Sequence, residues 1–419
     1  MSAARAVVLG AGPTGLSAAL TLGANATLVE REATVGGRCR SMQVNGFTFD
    51  MAGHTMFSDD PYVHDLYTLL LGDNLHWRDR EAWIYSKGVH TRYPFQAFRP
   101  LTYDDDPRDS GTNGHVNGNG HANGNGHTNG NGHASGNGHA NGNGHANGSG
   151  HHAGNGNARF GYPLKGGFQA LMHGFLPQLR ADLRLETEAV RVCPTRRTVV
   201  LSDGSSLPYD AVVSTIPLPR LIRLLGPEAP PSVRDTAAGL HYLSARYVNL
   251  GVGRPDLTEK HWIYYPEQTV FNRVFVQGNA SPHCNPPGGF GLTCEITYAK
   301  GHPLPCDDDE LIRRCIADCR AVGLVGENDP IWTACQADLP YAYVVYDHGR
   351  AESVASIREW LSQQDIILAG RYSEWEYYNS DHAFIAGKKA AEDVLERQQN
   401  RVGVGALAAQ AWQLSSTQA

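Results

Sequence analysis

A short apolar run, Ala6-Val7-Val8-Leu9, leads straight into Gly10-Ala-Gly12-Pro13-Thr14-Gly15, and an Ala/Leu-rich stretch follows from Leu16 to Leu22. A strand, a GxGxxG turn and a helix in that order leave few folds open. Gly10 permits the tight turn, Gly12 lets a pyrophosphate approach the backbone, and Gly15 lets helix and strand pack closely. Pro13 and Thr14 fill the variable positions at the head of the helix, where free N–H groups and the positive dipole end face an anion. Glu30 closes a second strand, Thr27-Leu28-Val29, where a carboxylate accepts from ribose hydroxyls, and Arg31 follows it. The bland alternative is an ordinary glycine-rich turn. The position between strand and helix argues for a dinucleotide site.

Length and charge narrow the class. A chain of 419 residues suits two packed domains, and 41% hydrophobic residues can fill a large interior. A net charge of −7 argues against nucleic acid as the partner. No run of ~20 apolar residues suggests a membrane span. Met1 runs almost directly into the first strand, leaving no room for a secretory signal, so a cytoplasmic location is expected. The eight cysteines are scattered without a CxxC pair and read as reduced thiols. Cys315 and Cys319 share a helix face, but two thiols alone make a poor metal site.

From about 110 to 157 the chain changes character. His-x-Asn-Gly-Asn-Gly repeats every six residues, with His115, His121, His127, His133, His139, His145 and His151 in register. Almost nothing there can fill a core, so a disordered insert is expected, with metal chelation by the histidines as the functional alternative. Order is expected again at Phe160, with a helix after Gly166-Gly167 and a β-meander over 184–217: Leu185 to Val192, Thr198 to Leu201, and Ala211 to Thr215. Residues 240–300 are strand-rich. Helices are expected at 308–321, 350–363 and 382–398, a strand at 366–369, and a frayed tail after 402.

Three further segments resemble one family. Gly36-Gly37-Arg38 is similar to the Gly-Gly-Arg that FAD enzymes of the amine oxidase and protoporphyrinogen oxidase superfamily carry beside the pyrophosphate. Tyr209-Asp-Ala-Val-Val-Ser-Thr215-Ile-Pro217 resembles the strand by which that superfamily returns to its FAD domain. Ala369-Gly370-Arg371 resembles its closing strand. The resemblance implies FAD rather than NAD, with Gly37, Arg38, Gly370 and Arg371 at the cofactor, and Val190 with them on the 185–192 strand. The implied fold is α/β: a Rossmann-type, GR2-like FAD-binding domain with an interleaved sheet-rich substrate domain. Residues 1–100, 158–220 and 365–402 would form the first domain, 221–364 the second, and 110–157 and 403–419 disordered insert and tail.

Within that superfamily the chain looks most like the UDP-galactopyranose mutases of eukaryotic type. Ala52-Gly53-His54-Thr-Met-Phe57-Ser58 is similar to the loop whose histidine sits by the flavin. Tyr93-Pro-Phe-Gln96 matches a family signature. Tyr264-Tyr-Pro-Glu267 with Phe271-Asn-Arg273 is similar to the strand that brings an arginine to the substrate pyrophosphate. Tyr343 precedes Arg371 by 28 residues, as a pyrophosphate-binding tyrosine does in the family. Arg371-Tyr-Ser-Glu-Trp-Glu-Tyr377-Tyr-Asn379-Ser-Asp381-His382 tracks the C-terminal motif that lies near flavin and substrate. Two departures stand out. The Gly/Asn/His repeat occupies the place of the family's helical substrate region, and Tyr377 and Asn379 lie closer together than the family's pair.

The resemblance implies an isomerase that interconverts pyranose and furanose rings of a nucleotide-diphosphate sugar, using N5 of reduced FAD as nucleophile and NADPH or NADH as possible reductant. Arginine suits a diphosphate because it is always charged and bidentate. Arg273, Tyr343 and Tyr377 would clamp it, with Arg371 serving clamp or flavin, His54 supporting the reduced flavin, and Asn379, Asp381 and His382 at the cofactor. Each has a structural alternative: a surface arginine, core-edge tyrosines, a loop-capping histidine, an N-cap for Asp381. The competing functions are an FAD-dependent oxidase, dehydrogenase or desaturase on a small metabolite, and a degenerate flavoprotein with a binding role.

Overall fold

The computed structural model describes residues 5–93, 159–267, 269–299 and 301–416, with residues 401–416 described by backbone alone. The histidine repeat and Pro94-Phe95-Gln96 lie outside the described residues. Five strands form a parallel sheet in the order Ile366–Leu368, Ala211–Ser214, Ala6–Leu9, Ala26–Val29, Asp182–Arg184. Ala6–Leu9 and Ala211–Ser214 are buried at every position, as strands covered on both faces must be.

Helices supply that cover. On one face lie Pro13–Leu22 and the last helix, Ser380–Ser416. On the other, Leu218–Leu225, Pro231–Ala238 and Arg350–Ser362 share a core with Val7, Leu9, Val212 and Ile366. Pro231–Ala238 and Arg350–Ser362 therefore pack on the parallel sheet, although the sequence groups residues 221–364 with the substrate domain, and Leu218–Leu225 straddles that boundary. A parallel sheet needs both faces covered, and the chain's first and last helices cover only one.

A second, seven-stranded sheet runs Ile331–Val344, Tyr242–Val252, Phe290–Tyr298, Arg273–Phe275, Trp262–Tyr264, Ala82–Ser86, Val89–Arg92. Its last two strands come from the segment assigned by sequence to the cofactor domain; Ala82–Ser86 pairs in parallel with Trp262–Tyr264. The fold is thus an α/β Rossmann-type unit interleaved with a sheet-rich domain. The helix Asp308–Ala321 buries Leu311, Cys315 and Cys319 against this sheet, and all eight cysteines are free thiols.

Two local expectations are corrected. The 184–217 meander is only three strands, Ala189–Cys193, Thr198–Leu201 and Ser206–Pro208; Ala211–Ser214 leaves it to pair with Ala6–Leu9. A largely apolar strand gains more between two helical layers than in a half-exposed ribbon. The last helix runs past the expected fraying point at 402, its backbone described to Ser416. No described helix is long and apolar enough to cross a membrane.

Candidate active site

The glycine turn is built as the motif requires. Gly10 has φ +97°, a conformation L side chains rarely adopt, and a Cβ there would lie 2.8 Å from Thr215 Oγ1. A Cβ on Gly15 would lie 1.8 Å from the Gly10 carbonyl oxygen, so only glycine lets helix and turn approach this closely. Gly37, at φ +53°, faces Gly12, and a Cβ on it would come within 3.1 Å of the Gly12 Cα. The Gly36 N–H donates to the Ala11 carbonyl at 2.8 Å, pinning the Gly-Gly-Arg segment to the turn. Together these glycines keep a strip of bare backbone beside the N-terminus of the Pro13–Leu22 helix, the setting a pyrophosphate needs.

Glu30 sits at the end of its strand, 7% exposed. Its Oε2 accepts the Ala11 N–H at 2.8 Å and its Oε1 the Glu32 N–H at 3.0 Å. Those bonds fix the carboxylate at the pocket wall and leave lone pairs for a further donor. A cavity of about 560 Å³ runs from here between the two sheets. Gly10, Gly12, Pro13, Thr14, Glu30, Arg31, Gly37 and Arg38 line one end; His54, Arg273, Tyr343, Arg371, Tyr377 and Asn379 line the other. A long ligand with a phosphate-bearing centre fits that layout, which is the shape of FAD.

The second end holds a cluster of arginines and tyrosines. Arg273 and Glu295 are register partners on adjacent antiparallel strands, which brings their side chains together. The Arg273 Nε donates to Glu295 Oε2 at 3.1 Å, and Nη2 also pairs with that oxygen. Nη2 donates to the Tyr343 hydroxyl at 2.9 Å, and this hydroxyl donates to Glu295 Oε1 at 2.5 Å. The guanidinium stacks 4.6 Å from the Trp262 ring. Tyr343 and Tyr377 stack at 6.4 Å, and the Arg371 guanidinium lies 4.3 Å over Tyr377.

Arg273 is therefore charge-compensated, whereas Arg371 has no carboxylate partner among the described residues. Arg371 donates from Nη1 to the Tyr378 carbonyl (3.0 Å) and from Nη2 to the Ala342 carbonyl (2.9 Å), and its buried Nε has no partner among the described residues. Carbonyls and aromatic faces hold the cation without neutralising it. Arg38 lies nearby, its Nη2 on the Pro340 carbonyl and its guanidinium 4.7 Å over Tyr372. His54 stacks on Phe168 at 5.0 Å. Burial, aided by Arg371, Arg273 and Arg38, pushes its imidazole down to about 4, so it is neutral at physiological pH.

Not every expected residue reaches the cavity. Val190 does not: its side chain is 46% exposed, and Ala189 lines the cavity instead. The pairing register shifts between Ala189 and Arg191, turning the intervening residue outward. Gly15 and Gly370 shape the site from behind; a Cβ on Gly370 (φ +84°) would strike Thr14 Oγ1 at 2.3 Å. Asp381 and His382 also miss the lining. They occupy the first turn of the last helix, 3.0 Å apart, with His382 stacked on Tyr378, while Ser380 and Ala383 face the cavity. Asp381 is not an N-cap, since the helix begins at Ser380 and the Ala383 N–H already bonds the Asn379 carbonyl.

Sequence reasoning missed Glu295. The signal was there: one carboxylate inside the apolar strand Phe290–Tyr298, 3% exposed in the fold, must have a cationic partner. It also missed Tyr247 and Trp262, which line the same end.

Comparison with known proteins bears on the fold and the family. The family described as flavin containing amine oxidoreductase matches residues 145–395, and an NAD(P)-binding Rossmann-like domain matches 8–70. Protoporphyrinogen oxidase 2, chloroplastic/mitochondrial, from Arabidopsis thaliana is 41% identical over 69 residues; the match spans 16% of this chain and only 14% of that protein. Among solved structures, a reduced UDP-galactopyranose mutase superposes with a TM-score of 0.76 at 21% identity, covering 94% of each chain. A protoporphyrinogen oxidase homologue from Exiguobacterium sp. 255-15 gives 0.68 at 17% identity over 94% of this chain and 99% of its own. Putrescine oxidase bound to putrescine gives 0.61 at 15%, covering 94% and 99%. At these identities the structures share the fold.

Proposed function

The chain belongs to the flavin-containing amine oxidoreductase family, and from that premise we propose that it is an FAD-dependent isomerase of UDP-galactopyranose mutase type, acting on a nucleotide-diphosphate sugar. The observation that carries this reading is the convergence of Arg273, Arg371, Tyr343 and Tyr377 at one end of the cavity, with Arg371 lacking a carboxylate partner among the described residues. A buried cation of this kind favours an anionic ligand and disfavours a protonated amine.

FAD would lie with its pyrophosphate along Gly12, Gly37 and the head of the first helix, and its ribose at Glu30. Bound in reduced form, after NADPH, NADH or a chemical reductant, it supplies a nucleophile for the anomeric carbon. The chain's own residues handle the leaving group. Arg371 and Tyr377 hold the diphosphate as it departs and returns. Arg273 contributes its Nη1, because Nε and Nη2 are already bound by Glu295 and Tyr343. Tyr343 donates to Glu295 here, so it serves a phosphate only by turning its proton away from that carboxylate. Neutral His54 offers the flavin a hydrogen-bonding partner that does not add positive charge. Asn379 lines the same wall.

A net oxidoreductase on a small metabolite is the second reading, favoured by the matched family and by the Glu295 pairing that halves the positive charge of the clamp. One anaerobic experiment separates the two. UDP-galactose and related sugar nucleotides are offered to the purified protein with dithionite or NADPH. The mutase reading expects a furanose product that forms only with reduced flavin, without stoichiometric loss of reductant. Bleaching of the flavin by an organic substrate, reversed by oxygen with peroxide formed, would establish the oxidase instead.

A further inference from the structure

The segment that carries Arg371 and Tyr377 is a helical turn closed in an unusual way. The Glu374 N–H bonds the Gly370 carbonyl and the Glu376 N–H bonds the Arg371 carbonyl, both at 2.9 Å. The six-to-one bond is the signature of a Schellman cap, in which the residue before the last donor adopts a left-handed conformation and is usually glycine. Here that residue is Trp375, at φ +57° and fully buried. A bulky side chain holds that conformation only where its surroundings enforce it. The indole supplies part of the reason, packing edge-on against Tyr242 (6.2 Å) and Tyr341 (6.3 Å).

The Glu374 carboxylate accepts the Gly370 N–H at 2.8 Å, and Arg350 adds a further restraint. This arginine begins the helix Arg350–Ser362, is 9% exposed, and reaches across to the turn. Its Nε donates to the Trp375 carbonyl at 2.8 Å, Nη2 donates to the same oxygen, and the guanidinium pairs with Glu376. Tyr346, whose ring lies 4.3 Å from the guanidinium, completes the frame. Its hydroxyl donates to Glu376 Oε2 at 2.6 Å and accepts the Tyr377 N–H at 2.7 Å. Arg371 and Tyr377 thus project from the two ends of one strained turn whose carbonyl, carboxylate and following N–H are all held from outside the pocket.

We propose that Arg350, assisted by Tyr346, is a positioning residue: its grip on Trp375 and Glu376 keeps the turn closed and sets the Arg371 guanidinium and the Tyr377 ring against the cavity. The inference rests on the assignment of Arg371 to the flavin and substrate site. Neither Arg350 nor Tyr346 lines the cavity, so both act through the turn.

The test reads the midpoint potential of bound flavin and the FAD content of the purified holoprotein in R350M, R371M, the double variant and Y346F. A nearby cation stabilises the negative charge gained on reduction, so R371M is expected to lower the potential. R350M should keep its FAD, lower the potential in the same direction, and add nothing to R371M in the double variant. Y346F changes a half-exposed residue, so it tests the device should R350M fail to fold; a smaller fall of the same sign is expected. A wild-type potential in R350M, or in Y346F where R350M does not fold, alongside a lowered one in R371M, would reduce Arg350 to a packing role. An unshifted R371M would overturn the site assignment and the inference with it.

Discussion

Glu295 is the residue on which the electrostatics of the substrate end turn. It compensates Arg273 and accepts a hydrogen bond from the Tyr343 hydroxyl, while Arg371 has no carboxylate partner among the described residues. Removing one member of a buried pair leaves the other charged without a partner, so Glu295→Ala should destabilise the protein by about 3 kcal/mol in denaturant unfolding. His54 makes a prediction about pH. Its imidazole is lowered from 6.5 to about 4 in the fold, so between those values the unfolded chain binds the proton and the native state does not. Stability therefore rises with pH across that window. In His54→Phe the slope of unfolding free energy against pH there should fall by about 1 kcal/mol per pH unit, and an unchanged slope would refute the burial argument. Sequence motifs singled out Gly10, Gly12 and Glu30, and the family resemblance singled out Gly37, Arg273, Tyr343, Arg371 and Tyr377; all of them line the cavity. Glu295 was not legible, because its partner depends on strand register, and Val190 lies outside the lining beside a register shift.

At the scale of elements, the site depends on how closely the first and last helices approach. Gly387 in the last helix meets the first: a Cβ there would lie 2.1 Å from the Thr14 carbonyl oxygen and 3.0 Å from the Ala18 nitrogen. Gly387→Ala should therefore push the helices apart and destabilise the protein by about 1–3 kcal/mol, with weaker FAD retention because Thr14 heads the cofactor turn. A thermal melt and the flavin content of the purified variant check both. Sequence periodicity placed the helices 308–321 and 350–363 well, since each shows a continuous apolar face. It misread 184–217, because an apolar run such as Ala211 to Ser214 looks alike in a ribbon and in a covered parallel sheet. Only the pairing partner, Ala6–Leu9, tells them apart.

On the scale of the whole molecule, the chain crosses between its two largest sheets several times, and residues from both line the cavity. The plan of a Rossmann-type unit interleaved with a sheet-rich domain was readable from the order of motifs and the family resemblance. The allocation of helices was not, since a helix packs on whichever sheet lacks cover, and that is a property of the assembled fold. The same interleaving explains why one cavity joins residues as distant in sequence as Gly12, His54, Arg273 and Arg371. Everything proposed for the substrate end presupposes that the glycine-lined end of this cavity grips a flavin dinucleotide. The most direct measurement is the visible spectrum of the purified protein, followed by denaturation to count released FAD. One FAD per chain, lost or greatly reduced in Gly12→Val, is the predicted result. A well-folded, colourless protein that takes up no added FAD would contradict the account at its base.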